Sequence, residues 1–147
     1  MPEPSLPPVE FAFPGPLRDA LVASILAGRK TTTTSLLAEY AVDGEELPGV
    51  GRRQAVLDSA GRPVAVIETV HVEQRRLDQV SVGHAVDEGE GYATVAEWRA
   101  GHEHFWQSVE MREYLQDPAF TVTDGTVVVL ERFRLVNQAP AKGGQHR

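Results

Sequence analysis

Two segments of the chain alternate apolar and polar residues with a period of two, and this pattern restricts the fold more than any other feature. They span residues 63–74 and 126–136. Successive side chains of a β-strand point to opposite faces, so such alternation is typical of strands. A shorter segment, 54–58, is joined to the first by Ser59-Ala60-Gly61-Arg62, a glycine-containing connection that favours a hairpin. The sequence therefore predicts an antiparallel sheet.

Each alternating segment carries a glutamate within its apolar row. In the first segment the row is Val64, Val66, Glu68, Val70 and Val72, and in the second it is Val127, Val129, Glu131, Phe133 and Leu135. A buried charge needs a partner. We therefore expect Glu68 and Glu131 to point into the domain, with at least one of them near Lys30. Two alternatives stay open: either row faces solvent, or Glu131 forms a structural pair with an arginine.

Two helices are predicted from apolar residues that recur every three to four positions. The first spans 16–27, with Pro16 at its start and Gly28 placed to end it. The second spans 94–113 and opens with Thr94-Val95-Ala96-Glu97, a capping box. Its apolar stripe includes Trp98 and His102, so His102 lies on the buried face, either as a hydrogen-bonded core residue or as a functional group.

The threonine-rich segment 29–35 is typical of a strand, because β-branched residues favour extended backbone.

These elements predict one α+β domain: a small, mostly antiparallel β-barrel of five or six strands with two flanking helices. We expect residues 11–136 to form the domain, since 147 residues suit a single domain. Prolines at the start and glycines near the end predict that 1–10 and 137–147 are flexible.

Composition narrows the function. The chain has no cysteine, which excludes disulfide frameworks, thiol nucleophiles and Cys-ligated zinc. Its net charge of −7 argues against a nonspecific binder of long duplex nucleic acid, which needs many cationic side chains. No apolar run is long enough to span a membrane, and no basic-then-apolar signal begins the sequence. We expect a cytoplasmic protein with no membrane partner.

Lys30 and Thr33 are the residues that most suggest chemistry. A lysine directly after a helix, three residues before a threonine, can bring an amine near a hydroxyl and act as its base. The alternative is that Lys30 only complements the C-terminal end of the first helix dipole. Residues 84–91 are predicted to be a loop, whose two glycines would allow Glu88 and Glu90 to turn inward.

No metal or cofactor is expected. His102 and His104 are two residues apart, so they point in different directions on a helix and lack the i, i+4 spacing of a zinc helix. The glutamates at 68, 88, 90 and 131 could hold a hard divalent ion together with waters, but no Asp/Asn-Gly loop signature supports this alternative.

Taken in order, several short motifs resemble the ASCH domain family, and its larger bacterial branch in particular. They are Gly28-Arg29-Lys30-Thr31-Thr32-Thr33, which matches G-x-K-x-x-T, the hairpin at 64–73, the acidic segment at 88–91, the Trp98…His102…Phe105 helix and Glu131-Arg132-Phe133. The resemblance covers residues 11–136 and implies a PUA-like β-barrel with a ligand cleft, associated with RNA or nucleoside recognition.

One compact branch of that family resembles amidohydrolases that remove an acyl group from the exocyclic amine of a modified cytidine. Carried over by position, the resemblance makes Lys30 the activating base, Thr33 the nucleophile and Glu88 the acidic partner, with Glu90 as its alternate. The compact enzymes tend to carry a cationic residue where this chain has Ser35.

Three functions remain open at this point. The first is hydrolysis of an N4-acylated cytidine. The second is a noncatalytic RNA- or nucleotide-binding module, in which Lys30 contacts phosphate and Trp98 or Tyr92 stacks on a base. The third is a ribonuclease that uses Lys30 and a glutamate as acid and base. The acidic balance favours a small nucleoside or a short single strand of RNA as partner. Other candidate ligand-binding residues are Glu68, Glu90, His102 and Glu131.

Overall fold

The computed structural model describes residues 6–138. Its strands are β1 (Pro8–Val9), β2 (Thr32–Leu36), β3 (Arg53–Leu57), β4 (Pro63–Arg76) and β5 (Val127–Gln138). Its α-helices are α1 (Pro16–Leu26), α2 (Leu37–Asp43), α3 (Val82–Asp87), α4 (Val95–Trp106) and α5 (Val109–Leu115). A single 3₁₀ turn, Leu77–Gln79, follows β4. The α+β class is as predicted.

The five strands form one mixed, open sheet in the order β1-β3-β4-β5-β2. The β3–β4 hairpin, β4–β5 and β5–β2 are antiparallel, while β1 runs parallel to β3. The prediction of a closed barrel is therefore wrong. Closure needs strands that continue the hydrogen bonding around the ring, whereas the edge strands β1 and β2 have only two and five residues and are not neighbours in the sheet.

Helices cover both faces of this sheet. On one face, Leu36, Val128 and Leu130 pack with Trp98 of α4 and Met111 of α5. On the other face, a second core forms around α1, and its buried members are Phe11, Val22, Ile25, Val56, Ala65, Ile67 and Phe133. Strand β5 contributes to both cores, so it is the central structural element of the domain.

The predicted inward row of β4 is the outer row. Ala65, Ile67 and Thr69 are the buried residues of this strand, while Glu68 lies on the opposite face, bound to Arg53 and Arg134 at 3.0 and 3.2 Å. The prediction that Glu68 points into the domain is wrong. The core row of β4 contains one large apolar residue, Ile67, whereas the outer row contains four valines and is therefore the more apolar row in the sequence. Glu131, in contrast, is buried as predicted, with 8% of its surface exposed.

The helices differ from the prediction in three places. Helix α1 and the left-handed Gly28 after it lie where predicted. The predicted helix 94–113 is broken into α4 and α5, because Ser108 starts a new helix by accepting a hydrogen bond from the Met111 amide. The segment 84–91, predicted to be a loop, contains most of α3, whose N-cap is Ser81. Helix α2, which directly follows β2, was not predicted.

Strands of the sheet lie on both sides of the limits of the range 11–136. Strand β1 lies inside the segment 1–10 that the sequence analysis interprets as flexible, and β5 continues past Val136 to Gln138. Residues 1–5 and 139–147 lie outside the described residues. Among the described helices, none has the length and apolar character needed to cross a membrane.

Candidate functional site

The centre of the candidate site is the buried carboxylate of Glu88, which has 1% of its surface exposed. Its Oε1 atom lies 3.4 Å from the Lys30 ammonium and 3.1 Å from His102 Nε2. Its Oε2 atom accepts hydrogen bonds from Thr34 Oγ1 at 2.6 Å and from Trp98 Nε1 at 2.9 Å. These contacts come from β2, α4 and the segment between α1 and β2, so they fix the carboxylate from several sides.

The end of α3 places Glu88 against the segment that carries Lys30. The Thr31 amide donates to the Asp87 carbonyl at 2.9 Å, and Ser24 Oγ donates to the Gly89 carbonyl at 3.0 Å. Gly89 has φ +73°, and a Cβ atom there would lie 2.7 Å from the backbone of Arg29 and Lys30. Only glycine fits this close approach without strain. The position of Glu88 therefore depends on the residue that follows it.

Lys30 is also buried, with 2% of its surface exposed. Its Nζ atom donates a 2.8 Å hydrogen bond to the Thr32 carbonyl and lies 4.0 Å from Glu90 Oε2. The ring of Phe11 lies 5.8 Å away, measured to its centroid. The Lys30 ammonium thus lies close to two carboxylates, those of Glu88 and Glu90, in an environment that excludes most water.

The charges of this cluster shift the pKa values of its members in opposite directions. Burial favours the neutral form of Glu88, but the Lys30 ammonium and hydrogen bonds from His102 and His84 outweigh it and hold the pKa of Glu88 well below its usual range. Burial raises the pKa of Glu90, and the neighbouring Glu88 charge adds to the rise while Lys30 opposes it. Burial lowers the pKa of His102, but its hydrogen bond to Glu88 and that group's charge raise it overall.

The cluster opens into a cleft of about 580 Å³, which we call the first cleft. Six candidate residues from the sequence analysis contribute to its lining: Lys30, Thr33, Glu88, Glu90, Tyr92 and His102. Aromatic side chains supply much of its apolar wall, namely Phe11, Phe13, Tyr92, Phe105 and Trp106. The first cleft thus combines flat apolar surfaces with a few convergent polar groups, as ligand sites commonly do.

Three candidate residues lie outside the first cleft. Trp98 is fully buried and stacks on His102 with ring centroids 4.3 Å apart, so its role is to hold His102 and Glu88. Glu131 lines a neighbouring cleft of about 490 Å³, which we call the second cleft. Glu68 is remote from both, on the outer face of β4.

The hydroxyl that contacts Glu88 belongs to Thr34, a residue that the sequence analysis did not single out. Thr34 Oγ1 also lies 2.7 Å from His84 Nε2, and His84 approaches Glu88 at 3.4 Å. The i, i+4 spacing of His84 and Glu88 is the signal that would have revealed this contact, had α3 been predicted. Within residues 6–138, no hydrogen bond joins Lys30 and Thr33, although both line the first cleft.

Glu88, Glu90 and His102 also form the one group of three potential metal ligands found in the described part of the chain, with ligand atoms within 4.8 Å of one another. The Lys30 ammonium already contacts both carboxylates at 3.4 and 4.0 Å. A divalent cation would have to compete with this amine, so the arrangement suits an ion-pair network better than a metal centre.

The fold and cleft define the class of protein: a small α+β domain whose open sheet positions a buried Lys–Glu pair beside a ligand-sized cleft. The chain belongs to the ASCH domain family, whose sequence model matches residues 10–137. The family resemblance noted in the sequence is thereby confirmed. No curated protein is detectably similar to the chain.

Solved structures support the same assignment. An ASCH domain from Lactobacillus crispatus is 29% identical, with a TM-score of 0.72, and the match covers 87% of this chain and 79% of that one. A protein from Enterococcus faecalis is 28% identical, with a TM-score of 0.77, and the match covers 100% and 86% of the two chains. An ASCH protein from Zymomonas mobilis, 7% identical with a TM-score of 0.50 over 89% and 72% of the chains, shares the fold. These neighbours support a PUA-like fold.

Proposed function

We propose that this ASCH domain hydrolyses the amide bond of an N4-acylated cytidine bound in the first cleft. The family is generally associated with RNA. The observation that carries the proposal is the buried Lys30–Glu88 pair, which lines the same aromatic-walled cleft as Thr33. This is the set of an amine, a hydroxyl and a carboxylate that the family resemblance implies for amide hydrolysis.

The charge of the first cleft favours a neutral nucleoside over RNA. Its acidic lining residues are Glu10, Glu39, Glu88, Glu90 and Glu110. Against them stand the ammonium of Lys30 and two histidines, His102 and His104. A surface that binds RNA neutralises phosphates with several cationic side chains. The acidic first cleft would instead repel phosphates. A pyrimidine base, in contrast, suits the aromatic wall, and the N4–H of an acylated cytidine can donate to a carboxylate.

In the proposed reaction, Thr33 Oγ attacks the acyl carbonyl carbon while Lys30, as the neutral amine, accepts the hydroxyl proton. Glu90 takes up the proton that Lys30 must first release, since its raised pKa makes it the more basic of the two carboxylates. The C–N bond then breaks, and Lys30 gives the proton it accepted from Thr33 to the exocyclic amine as that amine leaves. Water hydrolyses the acyl-threonine ester, which releases the carboxylic acid and restores the hydroxyl. Glu88 keeps the Lys30 amine in position throughout.

The proposal is tested by incubating the full chain with N4-acetylcytidine and resolving the products by chromatography. Free cytidine is the expected product. Lys30→Ala and Thr33→Val should each abolish its release, and the double variant should be hardly worse than either alone, because residues that act as one unit lose activity non-additively. Thr123→Val, at an exposed threonine remote from both clefts, is the matched control and should retain full activity.

The same assay separates the other two functions. Shortened products from a single-stranded RNA would identify a ribonuclease. Unchanged substrates together with measurable nucleoside binding would identify a binding module, in which Thr33→Val removes at most a hydrogen bond of ~0.5–1.5 kcal/mol. Either result would overturn the hydrolase.

A further inference from the structure

The second cleft adjoins the first at the proposed nucleophile. Both are lined by Thr33, Ser35 and Glu39, and by Phe13 and Phe105. A substrate whose reacting carbonyl lies at Thr33 therefore has one half in each cleft. Phe11, Tyr92 and Trp106 line the first cleft alone. We place the base against them, which leaves the second cleft for the acyl group.

Glu131 presents a hydrogen-bonding atom to the second cleft. Its Oε2 atom accepts a 2.6 Å hydrogen bond from Thr69 Oγ1, but its Oε1 atom receives none from any described residue. No fully buried polar side-chain atom in residues 6–138 is without a partner. The Oε1 atom therefore keeps some exposed surface, in a residue that has 8% of its surface exposed and lines this cleft. Because no described residue donates to Oε1, a ligand in the second cleft can supply the donor.

Sheet register places Glu131 beside Thr33. The two residues are Cα partners in the antiparallel pair of β2 and β5, and directly opposite residues share a face with Cβ atoms about 4.5–5.5 Å apart. An acyl group on Thr33 thus lies within reach of the Glu131 carboxylate, and a substituent one or two bonds from the carbonyl is the part that meets it.

The second cleft carries an excess of negative charge. Besides Glu131, its lining includes Glu39, Asp43 and Glu45. Of the arginines in its lining, Arg18 is bound to Glu10 at 3.0 Å, and Arg52 forms no ion pair within 4 Å among the described residues. Burial raises the pKa of Glu131, although the hydrogen bond from Thr69 and the charges of Arg52 and Lys30 oppose the rise. Burial also raises the pKa of Glu39, to about 7. A cation bound in the second cleft would lower the free-energy cost of ionising Glu131 and Glu39.

We propose that the second cleft binds an acyl group that carries an ammonium, so that the substrates of this protein are aminoacyl amides of a cytidine rather than simple acetyl derivatives. The inference rests on the proposed function and names its substrate class. The ammonium donates to Glu131 Oε1, and the acyl carbonyl remains at Thr33. No covalent step beyond those of the proposed reaction is required.

The test compares hydrolysis of N4-glycylcytidine and N4-acetylcytidine by the full chain. The wild type should prefer the glycyl substrate by about tenfold or more in kcat/KM, as expected of a charge-assisted hydrogen bond in a buried site. Glu131→Gln, which keeps the shape and the Thr69 contact, should remove this preference. Glu113→Gln, an exposed charge change on α5, is the matched control and should keep the preference.

Equal rates for the two substrates in the wild type would overturn the inference while leaving the hydrolase intact. A loss of both activities in Glu131→Gln, with an unchanged melting temperature, would also overturn it by placing Glu131 in the chemistry itself. Calorimetric binding of both nucleosides to Thr33→Val tests the second cleft without turnover. Tighter binding of the glycyl compound is expected, and it is measurable even if no acylated cytidine is hydrolysed, which would refute the proposed function alone.

Discussion

Gly89 is the residue on which the geometry of the buried cluster most depends. We expect Gly89→Ala to destabilise the domain by about 3 kcal/mol or more, because the left-handed φ costs ~1–2 kcal/mol and the added Cβ meets backbone atoms at 2.7 Å. Relief of that clash would move Glu88 away from Lys30. Chemical denaturation measures the loss of stability.

Gly91→Ala is the matched control, since Gly91 also has a positive φ, +89°, but has nothing within 4 Å of an added Cβ. Its cost should be limited to the backbone strain. Equal destabilisation by the two substitutions would contradict the idea that the approach of Gly89 to residues 29 and 30 sets the position of Glu88.

Individual residues of the site were only partly predictable. Lys30, Glu88 and Glu90 were identified from the helix stop before Lys30, the glycines around the two glutamates and the family resemblance. In the structure the Lys30 ammonium lies 3.4 Å from Glu88 and 4.0 Å from Glu90. Thr34 and His84 were missed. Four consecutive threonines give no local sign of which hydroxyl contacts a carboxylate about fifty residues away, since that depends on tertiary packing.

At the scale of elements, α2 contains a carboxyl group whose ionisation opposes folding. Glu39 accepts a 2.8 Å hydrogen bond from the Leu36 amide, yet burial raises its pKa to about 7. The folded state then binds the proton more tightly than the unfolded chain, so stability falls as the pH rises from about 4.5 to about 7. Glu39→Gln keeps an oxygen for the amide and removes the charge.

We therefore expect Glu39→Gln to be more stable than the wild type by on the order of 1–2 kcal/mol at pH 8 and nearly equal to it at pH 4.5. Urea unfolding at the two pH values measures the difference. A constant difference between the variant and the wild type across this range would contradict the raised pKa.

Local signals also explain which elements the sequence predicted. The hairpin and α1 have turn glycines and a helix-starting proline, which act over a few residues. The break at Ser108 was hidden because the apolar stripe continues in phase across it through Val109. Short helices such as α2 and α3 have too few turns for a period to be recognised, and they owe their stability mainly to tertiary packing.

The whole molecule is held together by β5, which packs against α1 on one face and against α4 and α5 on the other. We expect Phe133→Ala, which empties a site with 3% exposure, to cost about 3–5 kcal/mol. Hydrogen exchange should show faster exchange in α4, on the opposite face, as well as in α1. Loss of protection confined to the α1 side would show that the two cores unfold independently.

The sheet topology could not be read from the sequence, because alternation identifies strands but not their neighbours. The family resemblance supplied the PUA-like class, and the antiparallel pairs agree with it. The parallel contact of β1 with β3 joins Pro8 to Ala55 and Val9 to Val56. A two-residue strand in a proline-rich segment carries no periodic signal, so this edge and the open form of the sheet had to come from the structure.

The position of β5 between β4 and β2 also has a consequence for synthesis. Of the five strands it is the last to leave the ribosome, and until it emerges β2 has no partner in the sheet while the β3–β4 hairpin is already complete. Until β5 emerges, the position between β4 and β2 in the sheet is therefore empty, and only β5 can fill it. A ribosome that stalls before this point would display two unsatisfied strand edges, which other nascent chains and chaperones compete to cover.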